Sequence, residues 1–353
     1  MKKNKKKVFF IMSTNEFSGA ESVNLSIFEN LKEKYDFYWV SKIGEINEFL
    51  TEKGIEFIPI IDMKISEINR VIKEYNPDII HATDYRASFF CSIVKHKTKL
   101  ISHVHNNAFW LKKRKLNSLA FLFTGIRSNK ILTVSKSIER EYVFSRYIKK
   151  KIFCVGNPVS TTKIRNMVNI EDNEKIYDIC CVGRVTEQKD PIRFLNIIYK
   201  LKQKKSNLKV CWIGKGELED EFKSKIKQLN LENNIEYKGF QKNPYVFMKK
   251  AKVFLLVSKW EGFGLVVFEA LSLGVPTVVS KVGGLPDIVD NECGNICNND
   301  QEFIEEVNKL LVNKEYYDLK KKNALIKAES LDNIDKYCEN ISEIYKEVLE
   351  SKK

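Results

Sequence analysis

The sequence has no apolar run near the ~20 residues that a membrane-spanning helix requires. Leu119–Phe123 and Val253–Val257 are among its longest. Five lysines precede Val8-Phe9-Phe10-Ile11-Met12, but that run is too short for a signal-peptide core. Ser13-Thr14-Asn15-Glu16 then follows in place of a small-residue cleavage site. The expectation is a buried first strand in a cytoplasmic protein. Cysteine offers no metal framework: the eight residues are scattered, mostly inside apolar runs such as Ile179-Cys180-Cys181-Val182. There they suit a reducing compartment as small buried hydrophobes. Cys293 and Cys297 have a metal-like spacing, but no second pair or nearby histidine completes a zinc site. Asp-x-Asp, the Walker pattern and Gly-x-Gly-x-x-Gly are also missing, and Glu219 stands where a third glycine would follow Gly214 and Gly216. These absences weigh against a nicotinamide dehydrogenase and against a transferase that depends on a bound metal. No metal and no cofactor are expected.

What the sequence does have is 353 residues, 43% hydrophobic and 30% charged, enough for two α/β domains. Short apolar runs alternate with amphipathic segments, the pattern of βα units and parallel sheets. Strands are expected at Val8–Met12, Phe37–Val40, Phe57–Ile60, Ile79–His81, Leu100–Val104, Ile131–Val134 and Ile152–Val155. A second series follows at Ile179–Gly183, Lys209–Gly214, Ile235–Gly239, Val253–Val257 and Thr277–Ser280. Helical patterns intervene, among them Ala20–Glu33, Ile65–Tyr75, Pro191–Lys204, Leu218–Leu229, Phe263–Leu273 and Asp300–Asn313. Asn157-Pro158 is the natural crossover, because proline pushes its predecessor to an extended shape. The fold class is therefore α/β with two Rossmann-like domains, 1–157 and 158–332, sharing a cleft. Residues 333–353 form a final amphipathic helix that returns to pack on the first domain.

The chemistry concentrates in the second half. Glu261-Gly262-Phe263-Gly264-Leu265 lies between an apolar run and a helical pattern that contains Glu269. Glycines there let backbone N–H groups approach a ligand at a helix start, where the partial positive charge favours phosphate. Carboxylates accept hydrogen bonds from vicinal hydroxyls, which suits Glu261 and Glu269 to a sugar and a ribose. Glu269 is expected about two turns into its helix. A glycine-bearing turn with a glutamate on the helix dipole explains the segment equally well when it stands alone.

The neighbouring loops decide between these. Gly183-Arg184-Val185-Thr186-Glu187-Gln188-Lys189 follows the first strand of the second half and supplies two cations suited to a diphosphate. Gly214 and Gly216 leave room for a planar base or ribose, and Gly239-Phe240 and Gly283-Gly284-Leu285-Pro286-Asp287 end further strands. Ligands of open parallel sheets bind outside the carboxyl ends of strands, where all of these loops lie.

This ordered set resembles the second domain of the retaining glycosyltransferases of family 4, which have the GT-B fold. The paired glutamates correspond to Glu261 and Glu269, the Gly-Arg plus Lys loop to Gly183, Arg184 and Lys189, and the Gly-Gly-x-Pro-Glu motif to Gly283–Asp287, with Asp in the last place. The resemblance covers most of 176–330. It implies that Arg184 and Lys189 stabilise the leaving diphosphate in place of a metal ion. It also implies that Glu269 holds the ribose, while Glu261 and the amides of Phe263 to Leu265 hold the donor sugar and phosphates. Retention by front-side attack is implied as well, and no carboxylate stands out as a covalent nucleophile.

The first half matches less closely. Phe17-Ser18-Gly19-Ala20-Glu21 looks like the family's Gly-Gly-Ala-Glu turn, with Ser18 for the first glycine. All four histidines lie between positions 81 and 105. The family places a histidine beside the reacting carbon, and His105 is the favoured match; His103 shares its side of the extended segment. His81 and His96 suit ordinary strand-end roles.

The net charge of +14 is uneven, and 101–150 alone carry 11 Lys/Arg against 2 Asp/Glu. Phe109-Trp110-Leu111, Lys112-Lys113-Arg114-Lys115 and the apolar residues through Phe123 read as a helix able to lie in an anionic membrane interface. A core helix with solvated lysines is the plainer alternative. The expectation is a UDP-sugar transferase, peripheral on the inner face of the cell membrane. It would act on a glycan or polyprenyl-linked acceptor in surface polysaccharide synthesis. A sugar-nucleotide epimerase fits the same loops but not the basic segment, and a nucleic-acid binder fits the basic segment but not the loops.

Overall fold

The computed structural model describes residues 5–15, 19–44, 46–168, 174 and 176–351. The chain divides into two compact units, residues 1–158 with 333–353, and residues 159–332.

The first unit is built on a seven-stranded sheet: β1 (Lys6–Ile11), β2 (Tyr35–Ser41), β3 (Glu56–Pro59), β4 (Ile79–Ala82), β5 (Lys99–Val104), β6 (Lys130–Thr133) and β7 (Ile152–Cys154). Their order is β3-β2-β1-β4-β5-β6-β7, and every pairing is parallel. Strands covered on both faces read as unbroken apolar runs, and Val8, Phe9, Phe10 and Ile11 of β1 are fully buried. The strand order reverses between β1 and β4, the switch point at which open α/β sheets present their binding loops.

The C-terminal helix Ile334–Glu350 belongs to this unit. It buries Tyr337, Cys338, Ile341, Ile344, Tyr345 and Val348. The Tyr35 hydroxyl donates to the Ser342 carbonyl at 3.3 Å, and the Tyr35 and Tyr345 rings meet edge-on at 5.2 Å.

The second unit carries a six-stranded parallel sheet: β8 (Tyr177–Val182), β9 (Val210–Ile213), β10 (Ile235–Gly239), β11 (Ala251–Leu256), β12 (Thr277–Ser280) and β13 (Gly294–Cys297). The order is β10-β9-β8-β11-β12-β13, with the switch point between β8 and β11. Trp212 on β9 anchors the core, its ring 4.9 Å from Phe194 and 5.0 Å from Phe222. Two elements had no clear sequence signal. Strand β13 offers only Ile296 and Cys297 as apolar residues. The helix Lys314–Leu331 packs through the small residues Ala324 and Ala328 and the stem of Lys320 rather than an apolar stripe.

The segment 109–127 is not one helix. Phe109–Lys112 form a short 3-10 turn, Lys113 and Lys115 are extended, and a separate helix spans Leu116–Arg127. Ser118 fixes the break, its hydroxyl donating to the carbonyls of Trp110 and Lys113 at 2.7 and 2.5 Å. Among the described residues no helix is long and apolar enough to cross a membrane.

Candidate active site

In the second unit the loops after β8, β9, β11 and β12 interlock through backbone contacts. Gly214 follows β9 with φ +128°, and its N–H donates to the Gly239 carbonyl at 2.7 Å. A Cβ on Gly214 would lie 2.2 Å from the Gly183 carbonyl oxygen, and one on Gly216 would lie 2.3 Å from that of Val185. These glycines therefore serve a close approach between two loops; the space that their missing side chains leave is filled by protein rather than held open for a base. Gly283, at φ +56°, plays the same part for the opposite pair of loops, since its Cβ would meet the Glu261 carbonyl oxygen at 1.9 Å. The Gly284 N–H closes this contact by donating to the Gly262 carbonyl at 2.9 Å.

That scaffold brings Lys189 to Glu261. The Lys189 ammonium lies 2.6 Å from Glu261 Oε1, and the Ser258 hydroxyl donates to the same oxygen at 2.6 Å. Gln188 bridges the two loops, donating to the Trp260 carbonyl at 3.0 Å and to Glu261 Oε2 at 3.4 Å. Both partners of the ion pair are shielded, with 13% and 6% of their side chains exposed. Arg184 is exposed and its guanidinium makes no hydrogen bond to another described residue, so it remains available to a ligand. Thr186 in the same loop has a buried hydroxyl without a partner.

The helix after Glu261 spans Leu265–Ser272, with Gly264 at its N-cap and Phe263 before it in the loop. Its first-turn N–H groups lack intrahelical acceptors and carry the positive end of the dipole. Glu269 is its fifth residue, just over one turn in rather than two. Burial raises the Glu269 carboxyl to about 7, opposed by a hydrogen bond from Tyr245 and by the charge of Lys189. The Tyr245 hydroxyl donates to Glu269 Oε1 at 3.2 Å, and the carboxylate in turn raises the tyrosine. Tyr245 had no local signal, since it opens a separate short helix, Tyr245–Lys249, 24 residues before the glutamate it serves.

In the first unit, Gly19 is the opening residue of the helix Gly19–Leu31, while Phe17 and Ser18 of the expected turn lie outside the described residues. Glu21 is buried and accepts from the Thr14 hydroxyl at 2.6 Å. Asp84, unremarked in the sequence, joins β1 to β4: it accepts from the Ser13 N–H and hydroxyl at 2.9 and 2.8 Å and from the Ala87 N–H at 2.6 Å.

His103 lies on β5 and His105 one residue past its end, with ring centroids 4.0 Å apart. Neither ring nitrogen of His105 has a partner, nor does Nε2 of His103, although all three atoms are buried. Burial lowers His105 to about 3, so it is neutral at physiological pH. His81 is fully satisfied, between the Tyr345 hydroxyl at 2.7 Å and His103 Nδ1 at 3.0 Å. It is a core histidine, in keeping with the plainer expectation for it. His96, on the surface, pairs with Asn69 at 2.8 Å. Further orphaned buried atoms, Asn107 Oδ1, Thr133 Oγ1 and Asn157 Oδ1, occur at or past the ends of β5, β6 and β7. Native proteins satisfy nearly all such groups, so this concentration fits a surface that is completed by a polar ligand. Cys293 and Cys297 are buried thiols, and no group of metal-ligating side chains occurs among the described residues.

Two family models match consecutive parts of the chain: "Glycosyltransferase Family 4" over residues 50–163 and "Glycosyl transferases group 1" over 161–328. The chain belongs to the family 4 glycosyltransferases. It is 31% identical over 235 residues to an uncharacterized glycosyltransferase of Methanocaldococcus jannaschii, covering 60% of this chain and 57% of that one. Over 371 aligned positions and 95% of each chain, it is 25% identical to the Escherichia coli UDP-Gal:α-D-GlcNAc-diphosphoundecaprenol α-1,3-galactosyltransferase. An O-antigen biosynthesis glycosyltransferase of the same organism is 24% identical over 81% of this chain and 83% of its own. Among solved structures, Anabaena HepE in complex with UDP and glucose superposes with a TM-score of 0.84 at 16% identity, covering 97% of this chain and 99% of that one. The GT-B class of two parallel-sheet Rossmann-like domains follows from the two sheets and this likeness.

Proposed function

We propose that this glycosyltransferase moves a hexosyl group from a nucleotide diphosphate-sugar, a UDP-sugar rather than a GDP-sugar, to a glycan or lipid-linked acceptor in surface polysaccharide synthesis. The observation that carries the donor reading is the set formed by Lys189, Glu261 and Glu269, with the exposed, unpartnered guanidinium of Arg184 in the same loop as Lys189. Glu269 accepts hydrogen bonds from ribose hydroxyls, and Tyr245 holds one of its oxygens. The first-turn amides after Gly264 receive phosphate. Arg184 and Lys189 stabilise the charge that grows on the diphosphate as it leaves, so turnover needs no metal.

Glu261 already accepts from Lys189 and Ser258. That environment suits a hydroxyl-binding group better than a covalent nucleophile and agrees with front-side retention. In that reaction the bond from the anomeric carbon to the diphosphate oxygen breaks while the acceptor oxygen bonds to the same face. The acceptor's proton passes to the departing phosphate. Gly19 and His105 are assigned to the donor phosphate and the reacting sugar by the family likeness. The named Escherichia coli galactosyltransferase supports a UDP-sugar donor and a diphosphoundecaprenol-linked acceptor.

The membrane reading rests on the helix Leu116–Arg127. Leu116, Leu119, Phe123 and Ile126 recur at helical spacing and are 81%, 50%, 43% and 59% exposed. Lys112 to Lys115 precede this stripe. At its other end Arg127 joins Lys95, Lys130 and Lys151 around a cavity of about 270 Å³. Apolar residues flanked by cations suit a peripheral contact with anionic lipid. Phe121 is buried, so one face of the helix belongs to the core while the other faces outward.

A panel of UDP- and GDP-sugars, offered with and without an undecaprenyl-diphosphate-linked sugar, tests the assignment. Transfer from a UDP-sugar that requires the acceptor is expected. Conversion of the sugar nucleotide alone would point instead to an epimerase.

A further inference from the structure

A line of polar rings crosses the interior of the first unit from the C-terminal helix to the end of β5. The Tyr345 hydroxyl meets His81 Nδ1 at 2.7 Å, and His81 Nε2 meets His103 Nδ1 at 3.0 Å. His103 Nε2 ends the line, buried and without a partner, with the His105 ring beside it. Tyr345, His81 and His103 are all 0% exposed.

The hydroxyl sets the direction of every proton in this line. A buried hydroxyl donates where an acceptor is in reach, and among the described residues His81 Nδ1 is the acceptor that Tyr345 has. His81 then carries its proton on Nε2 and donates to His103 Nδ1. His103 in turn carries its own proton on Nε2. The opposite polarity would leave the tyrosine proton without an acceptor in the core.

We propose that Tyr345 and His81 are positioning residues that fix His103 as a neutral Nε2–H donor, aimed at an oxygen of the bound substrate next to His105. This rests on the reading that the loop after β5 meets the reacting sugar. In it the C-terminal helix sets the chemistry of a strand-end histidine through its core-facing tyrosine, and does more than cover the sheet. His103 acts as a hydrogen-bond donor throughout and never as the base. A donor held in place needs no reorganisation as charge develops on the substrate oxygen.

The test uses the full-length protein with ¹⁵N-labelled histidine. Long-range ¹H–¹⁵N spectra report which nitrogen carries each proton, and the His103 signals are assigned with a His103→Asn variant. The proposal expects His81 and His103 both protonated on Nε2. It expects Tyr345→Phe to disturb both signals and to lower kcat about tenfold, the worth of one hydrogen bond, with the donor KM little changed. Tyr337→Phe is the control. Tyr337 is a buried tyrosine of the same helix whose hydroxyl has no partner, so its loss reports general damage to the packing. A His103 protonated on Nδ1 in the native protein overturns the proposal, as does a Tyr345→Phe variant no slower than Tyr337→Phe. Full activity in His105→Ala would instead remove the reading of the β5 loop and leave the tautomer result standing.

Discussion

Lys189 and Glu261 come from loops 72 residues apart and meet at 2.6 Å, with the Ser258 hydroxyl on the same carboxylate oxygen. The pair ties the two loops together, with Gln188 adding a second link from its side chain to Glu261 Oε2 at 3.4 Å. Breaking a buried pair from one side strands the other charge, at a cost of about 3–5 kcal/mol.

Lys189→Ala is therefore expected to lower thermal stability as well as turnover, whereas Arg184→Ala, on an exposed side chain, lowers turnover alone. Both should reduce kcat more than they raise the donor KM, because charge on the leaving diphosphate grows towards the transition state. Steady-state kinetics alongside thermal melts check this. A pure loss of donor affinity with normal kcat would count against the diphosphate role.

Glu269 predicts a pH dependence with two opposite signs. Its carboxyl is raised from 4.5 to about 7 in the folded protein, so the folded state holds the proton more tightly than the unfolded chain. Its contribution to stability is then greatest below pH 4.5 and declines as pH climbs towards 7. Donor affinity should move the other way, because the ionised form accepts hydrogen bonds from the ribose more strongly. Calorimetric titration with UDP between pH 5.5 and 8 should show binding tighten through about pH 7, and Glu269→Gln should flatten the curve. A flat curve in the unaltered protein would remove Glu269 from the donor site.

How far the sequence disclosed this arrangement depended on the range of the interaction. Strands buried on both faces, such as Val8–Ile11, are legible as apolar runs, and glycine-marked loops at strand ends locate themselves. Strand β13 was hidden because Gly294-Asn295-Ile296-Cys297 lies at a sheet edge and needs little apolar surface. The break at Lys113–Lys115 was hidden because the apolar residues on both sides continue a helical spacing, while the deciding group is the Ser118 hydroxyl. Tyr245 on Glu269 and Tyr345 on His81 are separated by 24 and 264 residues, and no local pattern announces such pairs. The same holds for Gly214 and Gly283, whose small size is required by a carbonyl from another loop.

The proposed use of fixed cations implies that a chelator leaves turnover intact. Activity with the preferred UDP-sugar should be the same in excess EDTA as in Mg²⁺ or Mn²⁺. Loss of turnover in EDTA, with recovery on adding Mn²⁺, would show that a metal ion carries the diphosphate and that Arg184 and Lys189 do not suffice.

The exposed stripe Leu116, Leu119, Phe123 and Ile126 predicts binding to anionic vesicles. Basic residues near an anionic surface contribute about 1 kcal/mol each, screened over a Debye length of about 8 Å at physiological salt. Charge and apolar contact then act together, so neutral vesicles should bind poorly and high salt should release the protein from anionic ones. Replacing Lys112, Lys113, Arg114 and Lys115 with glutamate removes most of the first contribution. Leu119→Ser with Phe123→Ser removes the second, and neither change touches the buried Phe121. Co-sedimentation with phosphatidylglycerol vesicles should fall in both variants, while transfer to a short water-soluble acceptor is retained. Binding equal to that of the unaltered protein in both would mean that the outward face of this helix meets something other than lipid.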